Sequence, residues 1–256
     1  MKSIKIYALA LGLLAVFAGC QNDVVKPLEN DKEAPAPVRD VTYTKMSGSV
    51  LLTYTLPSDP DLLYVAASYT NKAGKKYEFK ASYFTNTLLV EGFGDTDTYS
   101  LDVYAVDRSE NYSEPVNIQV AADTPPVQAA YETLEVQPDF GGMTFSFDNA
   151  SKADLTVYVS TPNADNEMVN AETFYTGLAK ATFSVRGFLD VPRDFEICFE
   201  DKWGNRSPVK KENLTPIYEA ELDKKKFKEV ILPGDFPCTF YESKMEYIWD
   251  GRAAAD

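Results

Sequence analysis

Two segments of the chain end with the same arrangement of polar residues. Residues 103–115 (VYAVDRSENYSEP) and residues 197–208 (ICFEDKWGNRSP) both contain Asp, a basic residue, two spacers, Asn, one spacer and Ser. Carboxylate and amide oxygens are ligands that calcium accepts. The same side chains can also bond backbone amides two residues further on and so close a turn. The pattern favours a turn after a strand, and the alternative is a calcium or ligand site at Asp107, Asn111, Asp201 and Asn205.

Three pairs of acidic residues could supply the acid and the base of a catalytic site, but the sequence around them is typical of turns and does not predict a cleft. They are Asp59 with Asp61, Asp95 with Asp97, and Glu200 with Asp201. Glycoside hydrolysis needs two carboxyl groups about 5 to 10 Å apart across a cleft, and Asp-rich loops are normal for turns. The chain has no histidine, which excludes Ser-His-Asp and Cys-His nucleophiles and His-ligated zinc. We therefore predict a protein that is not an enzyme, with no catalytic residue, no metal and no cofactor.

Two aromatic residues stand out because each lies in a predicted turn. They are Trp203 in the second segment and Tyr112, which we place at a similar position in the first. An exposed aromatic ring can stack on the apolar face of a sugar. Such a ring can also fold over the end of its own domain and cap the core. Trp203 and Tyr112 are the candidate ligand-binding residues, with core capping as the alternative.

The charge and the cysteines limit the partners and the compartment. The formal charge of −14 argues against a nucleic-acid partner, which requires Lys and Arg to neutralise phosphates. Of the three cysteines, Cys198 and Cys238 would meet in an oxidising compartment, where they either form a disulfide or remain thiols.

The elements that carry these residues are predicted to be β-strands. From Val38 onward, apolar and polar residues alternate, and Gly, Pro, Asn or Asp interrupts them about every 8 to 12 residues. This predicts seven strands between residues 38 and 120 and seven more between residues 133 and 212, with no long stretch of helical period. The two shared Asp-Asn-Ser motifs then fall where the sixth strand of each set turns into the seventh. The fold class is predicted to be all-β, with two sandwiches in tandem.

The first twenty residues predict where the protein is targeted in the cell. Lys2 and Lys5 precede an apolar run of about a dozen residues and the sequence Ala-Gly-Cys. The run is too short to span a bilayer, which needs about 20 residues, so it is a targeting segment. Small residues before Cys20 resemble the bacterial lipobox, in which that cysteine is lipidated and becomes the mature N-terminus. The alternative is an ordinary secretory signal in which Cys20 has no special role.

The chain therefore divides into five predicted parts. A signal peptide spans residues 1–19, a lipidated flexible tether spans 20–37, a first sandwich spans 38–122 and a second spans 127–217. Pro125 and Pro126 stiffen the connection between the sandwiches. Residues 218–256 form a tail, interpreted as the start of a further domain.

A family resemblance follows from two longer segments, the lipobox and the closing residues. The segments GSVLLTYTLPSDPDLLYVAASYTNKAGKKY (48–77) and YSLDVYAVDRSENYSEPV (99–116) resemble a fibronectin type III-like or immunoglobulin-like module, with Tyr99 at the place of a tyrosine corner. Together with the lipobox and the closing YIWDG (247–251), they resemble Bacteroidota-type surface lipoproteins in which two such modules precede a discoidin-like domain. On this interpretation, the discoidin-like domain would be missing from the sequence, and only its start would be present.

The resemblance implies a function in the cell envelope. It implies a non-enzymatic lipoprotein, lipid-anchored in the outer membrane and exposed at the cell surface. Such a protein would serve as a spacer and as a carbohydrate-binding accessory in glycan capture and uptake. The alternative is a structural or adhesion-type component that binds an envelope protein, with sheet edges adding strands from the partner.

Overall fold

The computed structural model describes residues 31–220, 222–228, 230 and 232–236. The chain divides into two compact units between Pro126 and Val127. None of the helices formed by the described residues is long and apolar enough to cross a membrane.

The first unit consists of seven antiparallel strands in two sheets. A three-stranded sheet has the order β1-β2-β5, and a four-stranded sheet has the order β4-β3-β6-β7. The strands are β1 (Arg39–Met46), β2 (Ser49–Thr55), β3 (Leu62–Thr70), β4 (Lys76–Ser82), β5 (Thr87–Glu91), β6 (Thr98–Asp107) and β7 (Val116–Ala121).

Alternation along β6 shows why the sequence folds into two layers. Tyr99, Leu101, Val103 and Ala105 are all buried, as the period of two residues predicts for one face of a strand. The hydroxyl of Tyr99 donates a hydrogen bond of 3.0 Å to the carboxylate of Asp95, four residues upstream. A tyrosine corner usually bonds the upstream backbone, so here a side chain takes over the role of the backbone carbonyl.

The second unit begins with a short helix and repeats the same strand order. Its sheets have the orders β12-β9-β8 and β11-β10-β13-β14, which is the pairing of the first unit shifted by seven strands. The elements are α1 (Pro126–Glu132), β8 (Glu135–Asp139), β9 (Gly142–Asp148), β10 (Leu155–Pro162), β11 (Met168–Thr176), β12 (Lys180–Val185), β13 (Arg193–Asp201), β14 (Lys210–Leu214) and a 3₁₀ turn (Lys224–Lys226).

The core of the second unit is rich in phenylalanine. Phe195, Ile197 and Phe199 of β13 are buried between the sheets, and Phe199 packs edge-on against Phe147 at 4.7 Å between ring centroids. Gly142 at the start of β9 has no room for a side chain, because a Cβ there would lie 1.8 Å from the carbonyl oxygen of Val185.

Helix α1 corrects the interpretation of the double proline as a simple stiff linker. Pro126 occupies the first helical position, where a missing N–H costs nothing and the fixed φ suits the helix. Val127 and Ala130 are buried in the core of the second unit. The helix spans seven residues, which is too short for its period to be seen in the sequence.

The predicted fold class is confirmed. The described chain is built from fourteen antiparallel strands in four sheets, and the two units share one strand order. That order, with three strands facing four, is the arrangement of fibronectin type III-like sandwiches.

Candidate functional site

The first Asp-Asn-Ser motif forms a hydrogen-bonded turn between β6 and β7. The Oδ1 atom of Asp107 accepts the backbone N–H groups of Ser109 at 2.9 Å and Asn111 at 2.8 Å, and its Oδ2 atom accepts the Asn111 amide at 2.9 Å. The hydroxyl of Ser113 accepts the backbone N–H of Ala105 at 3.0 Å. Asp107 and Ser113 are buried, so these bonds satisfy groups that water does not reach.

The second motif forms the same turn between β13 and β14. Asp201 accepts the N–H groups of Trp203 at 2.9 Å and Asn205 at 3.0 Å, and it accepts the Asn205 amide at 2.9 Å. The hydroxyl of Ser207 accepts the N–H of Phe199 at 3.0 Å. Both copies therefore use Asp, Asn and Ser for the same local bonds, which supports the interpretation of the motif as a turn.

The left-handed residue of each turn is the one before the asparagine. Glu110 has a φ of 63° in the first copy and Gly204 has a φ of 84° in the second. Glycine suits this conformation, whereas glutamate adopts it only because the turn bonds hold the backbone in place.

The shared turn corrects the pairing of the two aromatic residues. When Asp107 is set against Asp201, Trp203 corresponds to Ser109, and Tyr112 corresponds to Arg206. The two rings occupy different positions of the turn and project from different places. The prediction that they have similar places is therefore wrong, and each has to be judged by its own surroundings.

Tyr112 belongs to a cluster of three tyrosines on the four-stranded sheet of the first unit. Its hydroxyl lies 3.3 Å from that of Tyr64, and its ring stands edge-on to Tyr104 at 5.7 Å between centroids. Tyr112 is 44% exposed, and the other two are half-buried. The hydrogen bond to Tyr64 and partial burial raise the pKa of Tyr112 to about 12, so its hydroxyl stays protonated. We call Tyr64, Tyr104 and Tyr112 the tyrosine cluster.

A lysine completes the surface around the cluster. The Nζ atom of Lys80 lies 4.6 Å above the ring centroid of Tyr64 and donates a hydrogen bond of 3.3 Å to its hydroxyl. The same ammonium is paired with Glu78 at 3.1 Å. The hydrogen bonds to Glu78 and Tyr64 raise the pKa of Lys80. Sequence reasoning missed Tyr64 and Lys80 as site residues, although the alternation of β3 and β4 could have placed both on the outward face.

Trp203 is half-buried beside a shallow groove of the second unit. The ammonium of Lys202 lies 5.1 Å from its ring centroid. Lys202 also helps to line a groove of about 400 Å³ with Asp154, Thr156 and Tyr175, which is 76% exposed. The ring of Trp203 therefore carries a cation on one side, whereas Tyr112 has no cation that close to its ring among the contacts of the described chain.

The predicted carboxylate pairs are engaged in local structure. Asp95 and Asp97 both pair with Lys72, and Asp97 donates its backbone N–H to Asp95. Burial raises the pKa of Asp95. The hydrogen bonds from Lys72, Asp97 and Tyr99 together lower it by more than burial raises it, so the pKa lies below its usual range.

The other two pairs are engaged as well. The Oδ1 atom of Asp59 accepts the backbone N–H of Asp61 at 3.2 Å. Glu200 pairs with Arg206 at 2.5 Å, while Asp201 closes the turn described above. These arrangements stabilise turns and do not place two carboxyl groups across a cleft.

One group of carboxylates approaches the geometry of a cation site. Oxygens of Asp31, Asp61 and Asp107 lie within 4.8 Å of one another. The pKa of Asp61 is raised by its hydrogen bond with Asp59, by burial, and by the charges of Asp59 and Asp107. Asp107 already accepts three hydrogen bonds, and Asn111 donates one to Asp31 at 3.1 Å. These hydrogen bonds hold residues 31–33 against the turn, which explains why the three carboxylates lie close together.

Two predicted sites concern residues that the structure does not describe. Cys20, the predicted lipidation site, and Cys238 lie outside the described residues, so lipidation and the disulfide stay predictions. Cys198 is half-buried, and its sulfur lies 3.5 Å from the carbonyl oxygen of Ser207.

Family models match most of the described chain in two pieces. A model described as a domain of unknown function, DUF4959, matches residues 35–122. A second, DUF5126, also described as a domain of unknown function, matches residues 123–225. A search of curated proteins found no match.

Similar solved structures include a SusE-like protein and animal proteins with β-sandwich domains. The SusE-like protein is 32% identical over 50% of this chain and 45% of that chain, with a TM-score of 0.33. Thus the chain spans less than half of its length. A segment of two fibronectin type III domains from chicken tenascin is 15% identical over 70% of this chain and 99% of that chain, with a TM-score of 0.33. Chicken interferon gamma receptor alpha chain is 11% identical over 72% and 100%, with a TM-score of 0.30. The fold assignment rests on the strand pairing and not on these superpositions.

Proposed function

We propose that this chain is a non-enzymatic lipoprotein of the cell envelope that binds glycans. Lipidation at Cys20 would anchor it in the outer membrane, with the two sandwiches exposed at the cell surface. The tether and sandwiches would act as a spacer, and the bound glycan would be held for uptake by other envelope components. Two or more acyl chains suffice for stable anchoring, because each buried methylene contributes about 0.8 kcal/mol.

The observation that carries the binding part of this proposal is the exposed tyrosine cluster. Aromatic rings that face solvent leave apolar area uncovered, and a rigid sheet holds them in fixed positions. Tyr112 is further fixed by the turn in which the Asp107 carboxylate accepts the backbone N–H and the side-chain amide of Asn111. We expect such a surface to hold a glycan without cleaving it.

The proposal separates into an anchoring test and a binding test. For anchoring, cells that produce the full-length chain are labelled with a palmitate analogue and fractionated. The wild-type chain is expected to carry label and to sediment with outer membranes, whereas Cys20→Ala is expected to lose the label. An unlabelled wild-type chain would show that the N-terminus is an ordinary signal, and the anchor would have to be abandoned.

For binding, the detergent-solubilised full-length chain is run through native gels that contain soluble polysaccharides. Retardation in at least one polysaccharide, relative to a gel without it, is expected. Uniform mobility in every gel of a broad panel would contradict glycan binding. Release of reducing sugar from any retarding polysaccharide would contradict the non-enzymatic part.

A second candidate function is docking of an envelope protein at a sheet edge. Strand β11 is an end strand of its sheet, spans nine residues and contains Glu172 as its only charged residue. Met168 and Val169 are 41% and 40% exposed. An edge of this length can accept a strand from a partner. Recovery from membranes of one stoichiometric protein by the wild type, but not by Val169→Lys, combined with no polysaccharide binding, would favour this function over the first.

A further inference from the structure

We propose that the outward face of the four-stranded sheet in the first unit is the contact surface for a neutral polysaccharide, bound along the chain and not by its end. The proposal rests on the glycan-binding function proposed above and assigns it to particular residues. It joins the tyrosine cluster to a row of polar side chains on the same face.

The strand register brings aromatic and polar side chains into neighbouring rows. Ala66 of β3 is paired with Tyr104 of β6 and with Lys80 of β4, so these three lie side by side on one face. Ala66 is only 1% exposed although it faces outward, because the larger neighbours flank it. The side chains of Tyr104 and Lys80 therefore cover Ala66 and form the surface at this point.

The next row on this face is polar across all four strands. Ser68 is paired with Asp102 and with Glu78, and Asp102 is paired with Asn117 of β7. The Asn117 amide donates a hydrogen bond of 2.9 Å to the carboxylate of Asp102 and so fixes the orientation of that carboxylate. We call Asn117, Asp102, Ser68 and Glu78 the polar row. Because side chains two residues apart on a strand are about 7 Å apart, this row runs alongside the aromatic one.

The two rows match the chemistry of a sugar chain. Each pyranose ring has an apolar face, which an aromatic ring can cover, and equatorial hydroxyls at its edge, which carboxylate and amide groups can bond. Stacking of Tyr104 and Tyr112 would leave the hydroxyls of the ligand directed at the polar row. Carboxylates accept two hydrogen bonds from neighbouring hydroxyl groups with particular strength, because the acceptor is ionised.

The overall charge of the protein selects against acidic glycans. On this face, Lys80 is paired with Glu78 at 3.1 Å, and Lys76, on the same side of β4, offsets the charge of Asp102. The face therefore suits a neutral ligand, and a uronic acid or sulfate would be repelled by the net charge of −14. As far as the described residues of the first unit show, this face is an open sheet surface and not an enclosed pocket, so we expect an internal stretch of a polymer to bind better than a monosaccharide.

The test compares variants of the full-length, detergent-solubilised chain in affinity gels. The neutral probes are xyloglucan, galactomannan, a mixed-linkage β-glucan and amylopectin, and polygalacturonate is the acidic probe. Tyr112→Ala removes an exposed ring, Tyr112→Phe keeps the ring without its hydroxyl, and Tyr218→Ala is the matched control because Tyr218 is a 67% exposed tyrosine outside this face. Asp102→Asn removes the charge of the polar row. Thermal melting of each variant confirms that it is folded.

We expect the wild type to bind a neutral probe and not polygalacturonate. Tyr112→Ala should weaken binding about tenfold, as loss of a stacked aromatic anchor typically does. Tyr112→Phe and Tyr218→Ala should bind within about twofold of the wild type. Asp102→Asn should lose most of the neutral binding or gain binding to polygalacturonate.

The outcomes separate this inference from the function on which it rests. A wild type that binds a neutral probe, with unchanged binding by folded Tyr112→Ala and Asp102→Asn, would overturn the assignment of the face and leave glycan binding intact. Preference for polygalacturonate would overturn the charge argument and with it the assignment. Absence of binding to every probe would overturn the proposed glycan function and the inference together.

Discussion

The buried carboxylate of Asp107 should be the most sensitive residue of the first turn. Replacement by alanine removes three hydrogen bonds, from the backbone N–H groups of Ser109 and Asn111 and from the Asn111 amide. Hydrogen bonds to a charged acceptor contribute roughly 1.5 to 3 kcal/mol each, but part of this turn reaches water, which replaces some of them. The loss of like-charge repulsion with Asp31 and Asp61 gives back a fraction.

We therefore expect Asp107→Ala to lower the free energy of unfolding of the first unit by about 3 kcal/mol. For a unit of this size, that corresponds to a fall of roughly 15 °C in its melting temperature. Asp107→Asn should lie between the two proteins. Its amide oxygen still accepts two backbone bonds, but its NH₂ group meets the NH₂ group of Asn111.

Hydrogen exchange followed by mass spectrometry measures this effect, because it reports the opening of each unit separately. Peptides from β6 and β7 should lose protection in Asp107→Ala, whereas peptides from β10 and β13 should not change. Asp97→Ala is the control, since Asp97 is an exposed aspartate of the same unit that pairs with Lys72, and no change is expected. A loss below about 1 kcal/mol in Asp107→Ala would refute the view that this carboxylate holds the turn.

Three further substitutions test the stability of the second unit and the role of Asp95 in the first unit. Ser207→Ala leaves the buried N–H of Phe199 without its acceptor and should cost about 1 to 3 kcal/mol in urea unfolding. Gly142→Ala forces a Cβ to within 1.8 Å of the Val185 carbonyl oxygen and should cost more than about 2 kcal/mol in the same assay. Burial raises the pKa of Asp95, but a lysine ammonium 2.6 Å away and several hydrogen bonds lower it by more. The pKa therefore lies below its usual range. Its stabilisation is therefore present above the unfolded pKa of about 3.9 and is lost as pH falls through the folded value, and acid unfolding should be shallower in Asp95→Asn.

Each of these expectations has an outcome that contradicts it. A urea midpoint of Ser207→Ala equal to that of the wild type would show that water or another group takes the place of the hydroxyl. A stable Gly142→Ala would show that the β9–β12 pair shifts easily. Acid-unfolding curves of equal slope for Asp95→Asn and the wild type would show that this carboxylate does not titrate with folding.

Strand content and the repeated turn could be predicted from the sequence because both depend on local patterns. Alternation fixes which face of β6 is buried, and Asp, Asn and Ser at fixed spacing close a turn by bonding their own backbone. Seven strands in each unit are both expected and observed, and the structural role of Asp107 and Asp201 agrees with the bonds that they accept.

The candidate site was less accessible to sequence reasoning because it depends on pairing between distant strands. Tyr64 and Tyr104 become neighbours only when the register of β3 and β6 is known. Trp203 drew attention as a tryptophan in a turn, but the shared turn places it opposite Ser109 and not opposite Tyr112. Helix α1 was missed because seven residues that begin with a proline carry too little periodicity.

The central claim, that a neutral glycan lies on the tyrosine cluster, is tested most directly by NMR of the tyrosine rings. The full-length chain with ¹³C-labelled tyrosine is titrated with an oligosaccharide from the neutral polysaccharide that retards it in gels, and ring signals are assigned with Tyr→Phe variants. The account predicts that the signals of Tyr104 and Tyr112 shift in a saturable manner with one dissociation constant, whereas the signals of Tyr175 and Tyr218 stay fixed. Saturable shifts confined to Tyr175, beside the groove of the second unit, would contradict it.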